Sequence, residues 1–83
     1  MLKAKKRRLG RAQKIMGDYC LLAGSPADAN AHYTTAIELT RLTGDVFWHA
    51  GALEGSVCAL VVSVHVSTSG FWDKEHSSYF MMC

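Results

Sequence analysis

Three runs of apolar residues, each recurring at three- and four-residue steps and separated by short turn signals, constrain this chain more than any other feature. From Lys3 to Ala23 the apolar positions are Leu9, Ala12, Ile15, Met16, Tyr19, Cys20 and Leu22, the spacing of an amphipathic helix. Gly24-Ser25-Pro26 follows. Glycine suits the left-handed residue past a helix end, serine can cap the next helix, and proline fits a first turn where its missing N–H costs nothing. The second run places Ala29, Tyr33, Ala36, Ile37 and Leu39 on a common side, with Asp28 in its first turn and Arg41 in its last, as the helix dipole prefers. Thr43 and Gly44 end it, and Asp45 is placed to cap a third run in which Phe47, Trp48, Ala50, Ala52, Leu53, Val57, Cys58, Leu60 and Val61 are apolar. That third helix is apolar nearly all round, which predicts cover on more than one side.

After Val62 the pattern changes. Ser63 to Gly70 is β-branched and alternating, and no helical stripe continues to Cys83. An isolated strand there would have nothing to pair with, so residues 63–83 are expected to form an irregular, poorly ordered tail. The expected organisation is a basic head over residues 1–8, a helical fragment over 9–62, and that tail. Almost half of the 83 residues are apolar, which argues against disorder over most of the chain. A domain this small buries only a modest share of its surface.

The glycines carry a faint internal period. Gly10 pairs with Gly44 and Gly17 with Gly51, each at the spacing of about 34 residues that marks tetratricopeptide repeats. Gly17, Gly24, Ala29, Tyr33 and Ala36 follow the small, small, small, aromatic, small order of such a helix pair. Small residues at Gly17 and Ala29 would let two helix backbones approach, with Tyr33 filling the gap toward the following helix. An ordinary antiparallel helical hairpin also favours small residues at its interface. Either way the expected fold is all-α: an antiparallel helical hairpin plus a third helix, a tetratricopeptide-like α-solenoid fragment. The third helix would then open a second repeat whose partner is missing.

Charge divides the chain in two. Lys3, Lys5, Lys6, Arg7, Arg8, Arg11 and Lys14 precede Ile15 with no acid among them, and the remainder is acidic. Lys3, Lys5, Lys6, Arg7, Arg8 and Arg11 form a possible contact patch for nucleic acid, anionic lipid or an acidic protein surface, since each is an electrostatic contact of low sequence demand. The same cluster suits a nuclear-localisation or mitochondrial-targeting segment, or the solvated face of a helix. Nucleic-acid binding would call for interleaved aromatics, and the first is Tyr19. No apolar core follows the basic residues as in a secretory signal. The longest unbroken apolar stretch, Val57 to Val62, is too short to span a bilayer.

Candidate chemistry is sparse. His32, His49, His65, His76, Cys20, Cys58 and Cys83 show no metal-ligand spacing. Cys20 and Cys58 read as buried structural thiols, and a reducing compartment suits three cysteines without close spacing. Gly51-Ala-Leu-Glu-Gly55 lies inside a helix and lacks the strand that a phosphate-binding loop requires. Glu54 is the one acid of its helix, with no second ionisable group placed to work with it. No catalytic, metal or cofactor-binding residue is therefore expected.

The stretch from Gly10 to Pro26, with Asp-Ala-Asn-Ala-His-Tyr at 28–33 and Gly-Ala-Leu-Glu-Gly at 51–55, resembles the large subunit of the transport protein particle (TRAPP) II tethering complex, the subunit 9 family, in a plant form. The most specific parts are Lys14 to Pro26 and Trp48 to Gly55. Members are far longer, with helical repeats followed by β-sandwich domains, so the resemblance implies a fragment or truncated gene model. The change after Val62 is what a reading frame entering an unspliced intron would give. The resemblance further implies a non-catalytic scaffold on the cytosolic face of the Golgi or trans-Golgi network, acting in Golgi and endosomal trafficking. Its partners would be other TRAPP subunits and, indirectly, a Rab GTPase, with peripheral membrane association through the complex and no nucleic acid. The alternative is a basic module that contacts nucleic acid or anionic lipid through the Lys/Arg head.

Overall fold

Helix formers dominate each run, and the turns between them are set by glycine. The structure, a computed structural model, describes residues 2–68 as three helices: α1 (Leu2–Leu22), α2 (Pro26–Thr43) and α3 (Val46–Thr68). No strand occurs among the described residues. Gly24 and Gly44 adopt φ of +82° and +65°, the left-handed conformation that ends a helix at least cost when no Cβ is present. At each, the following amide closes the helix: Ser25 N–H donates to Cys20 O at 2.9 Å and Asp45 N–H to Thr40 O at 2.9 Å. Pro26 opens α2 as anticipated, but Ser25 makes no capping bond to the backbone. Its hydroxyl donates instead to the Asp28 carboxylate at 2.7 Å.

The end expected at Val62 is corrected by the structure, in which α3 continues through Ser63-Val64-His65-Val66-Ser67 to Thr68. β-Branching lowers helix propensity by only tenths of a kcal/mol per residue. Val62 is buried in the core against Leu21, Ala29, Tyr33 and Ala59, and packing of that kind overrides so weak a preference. The rest of the expected tail, from Ser69 on, lies outside the described residues.

α2 is the common partner of the other two helices. Gly10 of α1 faces Leu39 and Thr40, and Gly17 faces Tyr33, so α1 and α2 run in opposite directions. The ring of Tyr33 is fully buried between α1 and α3. A Cβ on Gly17 would fall 2.6 Å from the ring's Cε1, and one on Gly55 of α3 would collide with the same edge. Ala29, Ala36, Ala52 and Ala59 are also fully buried, and small side chains of this kind let the three axes approach. Thr40 and Thr43 line the same seam although polar. Their hydroxyls donate to the carbonyls of Ala36 at 2.7 Å and Leu39 at 2.8 Å, so neither is buried without a partner.

Two expectations about faces fail. The residues read as the buried stripe of α1 point outward: Leu9, Ile15, Met16, Tyr19 and Leu22 are exposed, and the buried face is Gly10, Gly17 and Leu21. Packing the stripe inward would set Met16 or Tyr19 where the Tyr33 ring now sits. Nor do the described residues cover α3 on more than one side. Ala52, Ala59 and Val62 are buried while Leu53, Val57, Leu60, Val61 and Val64 are exposed. The proposed pairing of Gly10 with Gly44 also does not correspond in conformation, since Gly10 is mid-helix and Gly44 is a turn residue.

The Tyr33 slot gives a signed prediction. Helix propensity alone would make Gly55→Ala stabilising by about 1 kcal/mol, whereas the clash with an immobile ring costs about 1–3 kcal/mol. The full chain, followed by circular dichroism, is expected to lose stability with Gly55→Ala. In a Tyr33→Leu background, where the slot is relieved, the same substitution should become neutral or stabilising.

Candidate interaction surfaces

The packing just described leaves three regions outside the core: the basic start of α1, a recess between α1 and α3, and the outward faces of those helices. The basic residues do not act as one patch. Arg11 is drawn into the fold, its Nε donating to Asp45 Oδ2 at 2.8 Å and its Nη2 to Asp45 Oδ1 at 3.0 Å. Its guanidinium lies 5.2 Å from the centre of the Trp48 ring, within range of a cation–π contact. Asp45 stands at the start of α3, its carbonyl accepting from His49 N–H at 2.8 Å, while its carboxylate grips α1. The hydrogen bonds from Arg11 hold that carboxyl below the usual carboxylate range. Lys14 pairs with Asp18 at 2.7 Å. Lys3, Lys5, Lys6 and Arg8 are exposed and Arg7 is half-buried.

Register explains the difference. Gly10 lies opposite Thr40, and α2 ends at Thr43, so in the antiparallel pairing residues before Arg7 run past its end. Asp45 and Trp48, at the start of α3, meet α1 at Arg11. The first turn and a half of α1 therefore overhangs both neighbours, in keeping with a body 49 Å long and 16 Å wide.

The recess has a volume of about 520 Å³ and opens between α1 and α3, with Gly51 and Gly55 on one wall and Lys14 and Asp18 on the other. Tyr33 donates to Asp18 Oδ1 at 2.5 Å, and burial followed by this hydrogen bond holds its phenol well above the usual tyrosine range. Gly51, expected to pack like Gly17, instead borders the aliphatic end of Lys14, whose Cε would lie 3.3 Å from a Cβ there. Gly55 takes the role of receiving Tyr33. Glu54 is exposed at the rim. Among the described residues no three His, Cys, Asp or Glu side chains gather to hold a metal ion. Cys20 is a half-buried free thiol against the core cluster, whereas half-buried Cys58 is disulfide-bonded, which corrects its reading as a thiol.

Cross-helix polar contacts tie the layers at their edges. His32 Nδ1 lies 2.7 Å from Gln13 Oε1, and His49 Nδ1 lies 3.2 Å from the Ile37 carbonyl. Which ring nitrogen donates in these contacts follows the tautomer that each imidazole adopts. Ser56 donates to Asn30 at 3.0 Å. These contacts position the helices against one another.

The sequence model described as Trs120/TRAPPC9, N-terminal domain, matches residues 1–71. The chain belongs to the Trs120/TRAPPC9 family. It is 92% identical over 62 residues to the trafficking protein particle complex II-specific subunit 120 homolog of Oryza sativa subsp. japonica, and 81% identical over 62 residues to that of Arabidopsis thaliana. Each match covers 75% of this chain and 5% of the relative. Trafficking protein particle complex subunit 9 of Homo sapiens is 45% identical over 58 residues, 70% of this chain and 5% of that protein. The chain thus spans about one-twentieth of the length of these relatives. No solved structure matches. The family match runs to residue 71, whereas each of the two plant matches spans 62 residues.

α3 of this Trs120/TRAPPC9 segment is, by length and composition, sufficient to cross a bilayer, since Val46–Val66 has a mean hydropathy of 1.4. The unbroken six-residue run considered in the sequence understated it, because small and polar residues between apolar ones lower the mean only modestly. The core helix of a soluble protein can have the same composition, and Ala52, Ala59 and Val62 are packed into the core here.

The Arg11–Asp45 pair has a pH signature. Because the folded Asp45 pKa is depressed, its stabilisation is fully present above the unfolded value of about 3.9 and is lost as pH falls through the lower folded value. Exposed Glu38, lowered by Arg41, titrates in the same direction, so a difference measurement is needed. Asp45→Asn is expected to destabilise the helical chain at pH 7 and to reduce the loss of helicity on acidification, as followed by circular dichroism from pH 6 to pH 2.

Proposed function

We propose that this segment is a non-catalytic scaffold element of a TRAPP II type membrane-trafficking complex, contacting other subunits through the outward face of α3. The observation that carries the proposal is the face of α3. Leu53, Val57, Leu60 and Val64 recur at three- and four-residue steps and are all exposed, on the side opposite buried Ala52 and Ala59. A continuous apolar face of this kind on a helix marks a surface that meets another protein element. Relatives of this sequence are named as subunits of the trafficking protein particle complex, which supplies the class of partner.

In this proposal α1 and α2 form the helical hairpin of a tetratricopeptide-like solenoid, and α3 begins the next layer, its open face taking a further helix. The support is the antiparallel register of α1 and α2 and the shared use of Tyr33 by α1 and α3. Assembly places the segment on the cytosolic side of Golgi or trans-Golgi membranes, with peripheral membrane association through the complex, and its effect on a Rab GTPase is indirect. No cofactor is needed for such a role, and catalysis is left to other subunits.

The test is retention of the tagged 83-residue chain by purified plant TRAPP II subunits at physiological salt. Leu60→Glu with Val64→Glu should reduce retention at least about ten-fold, equivalent to about 1.4 kcal/mol, without loss of helical signal. Retention unaffected by both substitutions would overturn the assignment of the α3 face. Capture by duplex DNA in place of any subunit would favour the basic-module alternative.

A further inference from the structure

The outward face of α1 is distinct from that of α3 in one respect, its charge. Lys5, Leu9, Ala12, Met16 and Tyr19 follow one another at four- and three-residue steps, and Arg8, Ala12, Ile15, Tyr19 and Leu22 form the adjoining row. Every one of these residues is exposed. The face opposite, through Gly10, Gly17 and Leu21, is the one packed in the fold. α1 is therefore amphipathic in an unusual sense: glycine carries the packed side, and the open side is apolar along its length and basic toward its start. The single acid of α1, Asp18, lies between the faces and is engaged by Lys14 and Tyr33. Nothing on the open face opposes an anionic surface.

The geometry points to α1 as an interfacial helix that lies on an anionic lipid bilayer, with Leu9, Ile15, Met16 and Tyr19 seated at the headgroup boundary and Lys5 and Arg8 on the lipid phosphates. Lys3 and Lys6, on the overhanging turns, add to the same attraction. This combination of an apolar stripe, an aromatic at the boundary and basic residues is the one that binds a helix in the plane of a membrane. Duplex nucleic acid fits less well, because its grooves and phosphates offer no place for four large apolar side chains in a row and no aromatic interleaves with the charges. Arg11, tied to Asp45 and Trp48, takes no part. The inference rests on α1 alone and does not require the assembly proposed for α3.

Co-sedimentation of the full chain with vesicles tests it, using phosphatidylcholine alone and phosphatidylcholine with 30% phosphatidylserine, composition chosen to vary only charge. Partition into the anionic vesicles is expected to exceed that into neutral ones and to fall with added salt. Each neutralised cation should lower it about five-fold, so Lys5→Gln with Arg8→Gln should lower it about 25-fold, and Met16→Gln should lower it further. Leu60→Glu, on the α3 face, should leave the difference between anionic and neutral vesicles unchanged, which separates failure here from failure of the assembly reading. Equal partition into both vesicles, indifference to the Lys5 and Arg8 substitutions with helicity retained, or tighter binding to a duplex oligonucleotide at the same salt would each overturn the inference.

Discussion

The fold turns on one side chain. Tyr33 projects from α2 into a slot that exists only because Gly17 and Gly55 have no Cβ, one on each neighbouring helix. An aromatic ring in that position removes a large apolar area from water and fixes the separation of α1 and α3. Its hydroxyl reaches Asp18, which also binds Lys14, so the polar end of the ring is satisfied as well. With the slot in place, the rotation of α1 and α3 about their own axes is determined, and so is the choice of faces left outside.

That choice sets where function can reside. Two glycines and a set of alanines handle the internal contacts, which frees the larger apolar side chains of α1 and α3 for the exterior. In an isolated domain such a distribution would be inverted. These exposed apolar faces are the surfaces through which the segment can meet a partner. The Arg11–Asp45–Trp48 cluster performs the complementary task at the other end, binding the start of α3 back to α1 through a bidentate ion pair and an aromatic face.

How far the sequence disclosed this can be judged from particular residues. Helix existence and the two turns were legible, because the apolar periodicity and the Gly-Ser-Pro and Thr-Gly-Asp signals act locally. Ala29, Tyr33 and Ala36 recur at three- and four-residue steps on the buried side of α2, and Gly17 faces the Tyr33 ring. The rotation of α1 was not legible: periodicity identifies a stripe but not whether it packs, and a glycine face carries no hydrophobic signal. Small residues in the Gly51–Gly55 stretch suit tight helix packing, and Gly55 is the one that meets Tyr33; Asp18 carries no signal because its partner Tyr33 lies on another helix. Thr40 and Thr43 counted as polar in the pattern, although hydroxyls that bond back to their own helix are buried readily. The extension of α3 past Val62 is masked in the sequence by the β-branched alternation of residues 63–68.

The central claim, that one aromatic residue of α2 is gripped by glycines of both neighbouring helices, is tested most directly by proton nuclear Overhauser contacts in the labelled chain. Tyr33 ring protons should show cross-peaks to the α protons of both Gly17 and Gly55. Cross-peaks to Gly17 alone, with none to Gly55, would show that α3 does not share the slot and would contradict the account.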